Sequence, residues 1–229
     1  EVFSKVNYVF MALNESDATP EMQALAEKQS PMITAHSDEV YMNLALFNRI
    51  KAVHDNADQL GLTPVQRRLT EKYYKRFVRN GALLSAADQD TLKSINTRLA
   101  ALQLSFVNNV MSEIANNYVV VDNADRLSGL PKNTIDAAAK LAADKGMAGK
   151  WVFTPSASTR LAVLTSADDR SLREEMYKTY LATANRGNEF DNSKNINAIL
   201  KLRQQKAKLL GFKTFADYAI DPVMAKTVD

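Results

Sequence analysis

Between Ser85 and Asn116 the chain runs without a glycine or a proline, and its apolar residues Leu92, Ile95, Leu99, Leu102, Phe106 and Val110 follow at intervals of three, four, three, four and four. Only a helix gathers such positions on one side, because its turn of 3.6 residues returns every third or fourth side chain to the same face. A single stripe kept up for about 30 residues needs other helices to cover it, which points to a bundle or hairpin. Scarcity of breakers elsewhere agrees: seven Gly and six Pro in 229 residues are about half of ordinary usage. With 46% hydrophobic residues the chain can bury a real core.

Local punctuation places the other helices. Thr63-Pro64-Val65-Gln66 offers a hydroxyl at the N-cap, proline in the first turn and Gln at the third position, so a helix should run from there to about Asn80, where Gly81 stops it. Thr19-Pro20 opens another, which Pro31 should kink or divide before Met32 to Asn43. Leu44 to Gln59, Pro131 to Lys145, Ile196 to Leu210 and a short piece around Thr214 to Ala219 read as helices, and Ser166-Ala167-Asp168-Asp169 caps one through Leu172, Met176 and Tyr180. Two short β-branched and aromatic stretches, 117–122 and 150–154, break the helical period and could pair as a small sheet in either orientation. The expected class is mainly α, a multi-helix bundle with long antiparallel helices and one two-stranded β element.

The chemistry-bearing residues are few. There is no Cys and there are two His, which leaves no disulfide, no thiol nucleophile and almost no material for a zinc site. His36 and Glu39 stand three apart, yet a hydrolytic zinc helix has two His four apart, and no second His is near; a surface or capping histidine is the plainer reading, as for His54. Asp168-Asp169 and Glu174-Glu175 are neighbours about 100° apart on a helix, so capping and solvation explain them better than a shared proton. No G-x-S-x-G elbow and no glycine-rich phosphate loop occurs. Arg68, Lys72, Lys75 and Arg79 share one face of the 64–80 helix beside Arg76, Tyr73, Tyr74 and Phe77, a possible phosphate-binding stripe; a net charge of only +3 favours cations paired with acids instead, and no nucleic-acid partner is expected. Trp151 and the tyrosines read as core. No window reaches the ~18 consecutive apolar residues of a membrane span, so no membrane partner is expected.

Longer phrases carry more information than these motifs. SPMITAHSDEVYMNLALFNRIKAV (30–53), LTEKYYKRFVRNGALLSAADQDTLKSINTRLAALQLSFVNNV (69–110), VVVDNADRLSGLP (119–131) and LREEMYKTYLATANRGNEFDNSKNINAILKLRQQKAKLLGF (172–212), followed by MAKT at 224–227, resemble in sequence and order the N-terminal part of the thimet-oligopeptidase family of zinc metallopeptidases, most closely its bacterial peptidyl-dipeptidase branch. The resemblance implies a helical protein whose halves enclose a channel for short peptides. Residues 1–165 would be a channel-wall region with the small β element, and 166–229 the first helices of the peptidase domain.

In that family two His of an H-E-x-x-H helix and a downstream Glu hold the zinc, and the motif Glu is general base. None of these has a counterpart here, so no catalytic, metal or substrate-binding residue is assigned. The expectation is an N-terminal fragment, inactive alone, of a zinc-dependent peptidyl-dipeptidase or oligopeptidase. Its partners would be short peptides and a missing C-terminal catalytic region. The alternative is a non-catalytic helical module that binds peptides or proteins. The expected location is the cytoplasm, or the periplasm if a signal peptide was removed. The stretch 154–170 departs from the family pattern and reads as a relaxed surface loop.

Overall fold

The computed structural model describes residues 2–16 and 19–228. Among these are ten α-helices and one two-stranded sheet, the mainly α architecture that the sequence leads one to expect. They form two compact units, Glu1–Leu104 with Asn197–Asp229, and Ser105–Ile196.

The first unit opens with α1 (Val2–Ser16), a helix the sequence reading left unassigned, and α2 (Pro20–Tyr41), capped where the Thr19 hydroxyl accepts from the Met22 amide at 3.3 Å. Pro31 does not divide α2, which runs through it as one helix. It lies on the exposed side of the helix, where its ring meets solvent and not the core. Helix α3 (Leu44–Asp55) ends before Gln59, because the Asn56 side-chain amide donates to the Ala52 carbonyl at 2.8 Å and closes the last turn. Helix α4 (Pro64–Arg79) starts with the expected reciprocal cap, Thr63 and Gln66 each bonding the other's backbone amide. Between α3 and α4 lies an aromatic core: Phe47 and Phe77 are buried, Tyr74 stacks on Phe47 at 5.7 Å and Tyr41 meets Phe77 edge-on at 5.2 Å.

The long stripe becomes α5 (Ala86–Asn116), and its buried Ile95 and Leu99 pack on Ile199 and Leu202 of α9 (Ser193–Leu209). A final short helix, α10 (Phe215–Ile220), is opened by a Thr214–Asp217 capping box.

In the second unit β1 (Val119–Val121) and β2 (Trp151–Phe153) pair antiparallel with Val120 opposite Val152; both are shorter than the sequence suggested. Helix α6 (Lys132–Asp144) connects them. The 154–170 corner is not a loop: it holds α7 (Ala157–Ser166), whose Val163 is fully buried, before α8 (Arg170–Leu181) starts from the side-chain cap of Asp169. One core joins these pieces, with Val121, Phe153, Val163, Leu172 and Met176 at its centre and Trp151 packed on its edge. The turn before α6 is fastened to the start of α8: Ser128 accepts the Asp168 amide through its carbonyl at 2.8 Å and donates its hydroxyl to the Asp168 carboxylate at 2.7 Å. Gly129, at φ +83°, allows that approach.

Candidate functional site

The two histidines are used structurally. His36 meets the Phe3 ring edge-on at 5.6 Å, and Glu39 is exposed. His54 stacks on Tyr74 at 4.0 Å with its Nδ1 3.2 Å from Asp55. Among the described residues no three His, Cys, Asp or Glu side chains converge as a metal site would require.

The carboxylate pairs divide their tasks as the capping reading expects. Asp169 accepts from Ser171 and from Arg126 Nε at 2.6 Å, and these bonds hold its carboxyl well below the usual range, while Asp168 turns to Ser128. Glu174 pairs with Lys178 at 2.6 Å, and Glu175 with Arg126 at 3.0 Å.

The basic face of α4 is largely answered from within the chain. Glu71 lies between Lys75 at 2.9 Å and Arg68 at 2.7 Å, which together lower its pKa to about 2. Arg79 binds Asp221 at 2.7 Å and the Tyr218 carbonyl at 2.6 Å, and Arg76 lies over the Tyr41 ring.

Two buried polar centres were not singled out from sequence. In the second unit Glu113 of α5 is fully buried, receiving Arg186 Nε at 2.8 Å, Asn188 Nδ2 at 3.0 Å and the Asn117 amide. Asn192, also buried, donates to the Phe106 carbonyl at 3.0 Å and accepts from Asn109 at 3.0 Å. These bonds fasten the 186–192 loop to one side of α5.

The first unit holds a cavity of about 410 Å³ walled by α2, α5, α9 and α10. On its wall Asp38, 7% exposed, accepts from Asn96 Nδ2 at 2.7 Å, and Asn96 in turn accepts from Lys206 Nζ at 2.7 Å. The second Asp38 oxygen is buried with no donor. Burial pushes the Asp38 pKa up, against Asn96 and Lys206, and pushes the Lys206 pKa down, against the attraction of Asp38. The Tyr218 phenol is also raised by burial. Arg203 shares the wall, its guanidinium 5.0 Å from the centre of the Phe215 ring.

Because the folded state favours the neutral acid, the Asp38 contribution to stability is greatest below its ordinary value of 3.8 and is lost as pH rises through the raised value. Asp38→Asn is therefore expected to melt at or above the parent temperature at pH 7, with the difference closing as pH falls below 4. A melting point several degrees lower at pH 7 would show that the charge itself stabilises.

Comparison with known sequences gives these units a context. The sequence profile of peptidase family M3 matches residues 163–229. The dipeptidyl carboxypeptidases of Salmonella typhimurium and Escherichia coli are each 32% identical to the chain, over 226 and 227 residues, or 99% of this chain and 33% of theirs. The oligopeptidase A of Haemophilus influenzae is 31% identical over 218 residues, 93% of this chain and 32% of its own. The chain thus spans about a third of the length of the curated relatives it matches. With the family profile at one end and the similarity running through nearly all the rest, the chain is similar in sequence to peptidase family M3, the thimet-oligopeptidase family.

Proposed function

We propose that this chain is the N-terminal portion of a zinc-dependent peptidyl-dipeptidase that releases dipeptides from the C-termini of short peptides, and that by itself it is inactive. The observation that carries the reading is the similarity over 99% of the chain to two proteins named dipeptidyl carboxypeptidase. The residues present do not fit the zinc: two histidines engaged with aromatic rings and no converging set of ligands among the described residues. No catalytic step is therefore assigned to them. Their part is a helical wall that limits entry to unfolded, short substrates and orients them. The match of residues 163–229 to the family profile supports reading 166–229 as the first helices of the peptidase domain.

The test compares the product of the whole reading frame containing this chain with the chain alone. Each is incubated with zinc and an N-blocked tetrapeptide, with and without a chelator, and dipeptide release is followed by mass spectrometry. Chelator-sensitive release by the longer product, with none from the chain, is expected. Zinc-dependent release by the chain alone would put the chemistry within these residues and overturn the proposal. No release by either, with a reading frame lacking H-E-x-x-H, would favour a non-catalytic binding module.

A further inference from the structure

The polar groups around the 410 Å³ cavity are unbalanced in a specific way. Asp38 and Lys206 carry opposite charges but do not meet: the Asn96 amide stands between them, bonded to each at 2.7 Å. One Asp38 oxygen is buried with no donor among the described residues. Arg203, on the same wall, faces the Phe215 ring and pairs with no carboxylate among the described residues. A buried acceptor without a donor is costly, and it and the half-buried guanidinium beside it are each the complement of a ligand group. The volume lies within the range of small-ligand pockets, and Leu99, Phe215 and Tyr218 add apolar wall.

We propose that this cavity binds a dipeptide-sized zwitterion, its ammonium directed to Asp38 and its carboxylate to Arg203 and Lys206. A carboxylate suits the planar fork of a guanidinium better than a spherical anion does. The interposed amide keeps the site's opposite charges from meeting, and a zwitterion whose ends are separated by a peptide unit can reach both. The site is read from the cavity alone and involves no turnover, so it stands or falls separately from the peptidase reading.

The test is calorimetric titration of the whole 229-residue chain with three probes: glycyl-phenylalanine, its N-acetyl form, which lacks the ammonium, and its amide, which lacks the carboxylate. Glycyl-phenylalanine is expected to bind at least tenfold more tightly than either. In Arg203→Met the advantage of the free dipeptide over its amide should shrink severalfold, Lys206 alone being left to the carboxylate, and in Asp38→Asn the free and N-acetyl forms should bind alike. Circular dichroism checks that each variant folds, and Arg203→Gln serves if the Met variant does not. No heat with any probe would overturn the site. Equal binding of the free and N-acetyl forms by the parent chain would overturn the zwitterion and leave a simple anion site, as would variants that lose all three probes equally.

Discussion

Arg186→Ala should lose about 3 kcal/mol of stability, the low end of what an uncompensated buried charge costs, because the Glu113 carboxylate left behind is fully buried although the arginine itself is about a third exposed. Glu113 is fully buried, and Arg186 supplies its only cation among the described residues, with Asn117 and Asn188 adding neutral donors. Truncating the arginine leaves a carboxylate inside with amides alone to meet it. In a protein of this size that corresponds to a fall in melting temperature on the order of 10 °C. Glu113→Leu combined with Arg186→Ala should recover most of the loss, since no buried carboxylate is then left without its cation. Chemical denaturation of the two single variants and the double variant measures the coupling directly. A single-variant cost under about 0.5 kcal/mol, the level of ordinary surface changes, would show that the pair does not hold the loop.

Gly129→Ala is the second large loss, also about 3 kcal/mol, because two penalties fall on one residue. Its φ of +83° is a conformation that side-chain-bearing residues adopt only with strain. A methyl group there would also press into the Ser166 carbonyl oxygen and come within 2.9 Å of the Asp168 carboxylate. The backbone cannot yield cheaply, since Ser128 holds Asp168 by two bonds at that point. Gly61→Ala is the control: φ is +62°, but nothing lies within 4 Å of the added carbon. Comparable losses in the two variants, by thermal melting, would mean that backbone strain dominates and the close approach is incidental.

What the sequence discloses and conceals here follows from the range of the interactions. Helix α4 is legible because both halves of its cap lie within four residues, and α5 because a stripe repeats every turn. Pro31 marks no boundary because a proline's effect depends on which side of the helix faces water, and α7 is hidden because its one fully buried anchor, Val163, gains meaning only from the core of the second unit. Glu113 sits in a polar stretch, SEIANN, that reads as a solvated helix end; its partners Arg186 and Asn188 are more than 70 residues away. Asp38 was passed over for the same reason, within H-S-D-E, since Asn96 and Lys206 come to it from two other helices. The family resemblance is legible because extended phrases preserve what single motifs do not.

The fastening of the 186–192 loop to α5 carries a mechanical meaning. Its anchor points Phe106, Asn109 and Glu113 are three and four residues apart, so all lie on one line along the helix. Each bond is directional and short, unlike apolar contacts, which tolerate sliding. Turning α5 by a single residue would swing every anchor about 100° away and release them together. The loop therefore acts as a key cut to one rotational phase of the long helix: it can follow a rigid movement of α5 but opposes any rolling about its axis.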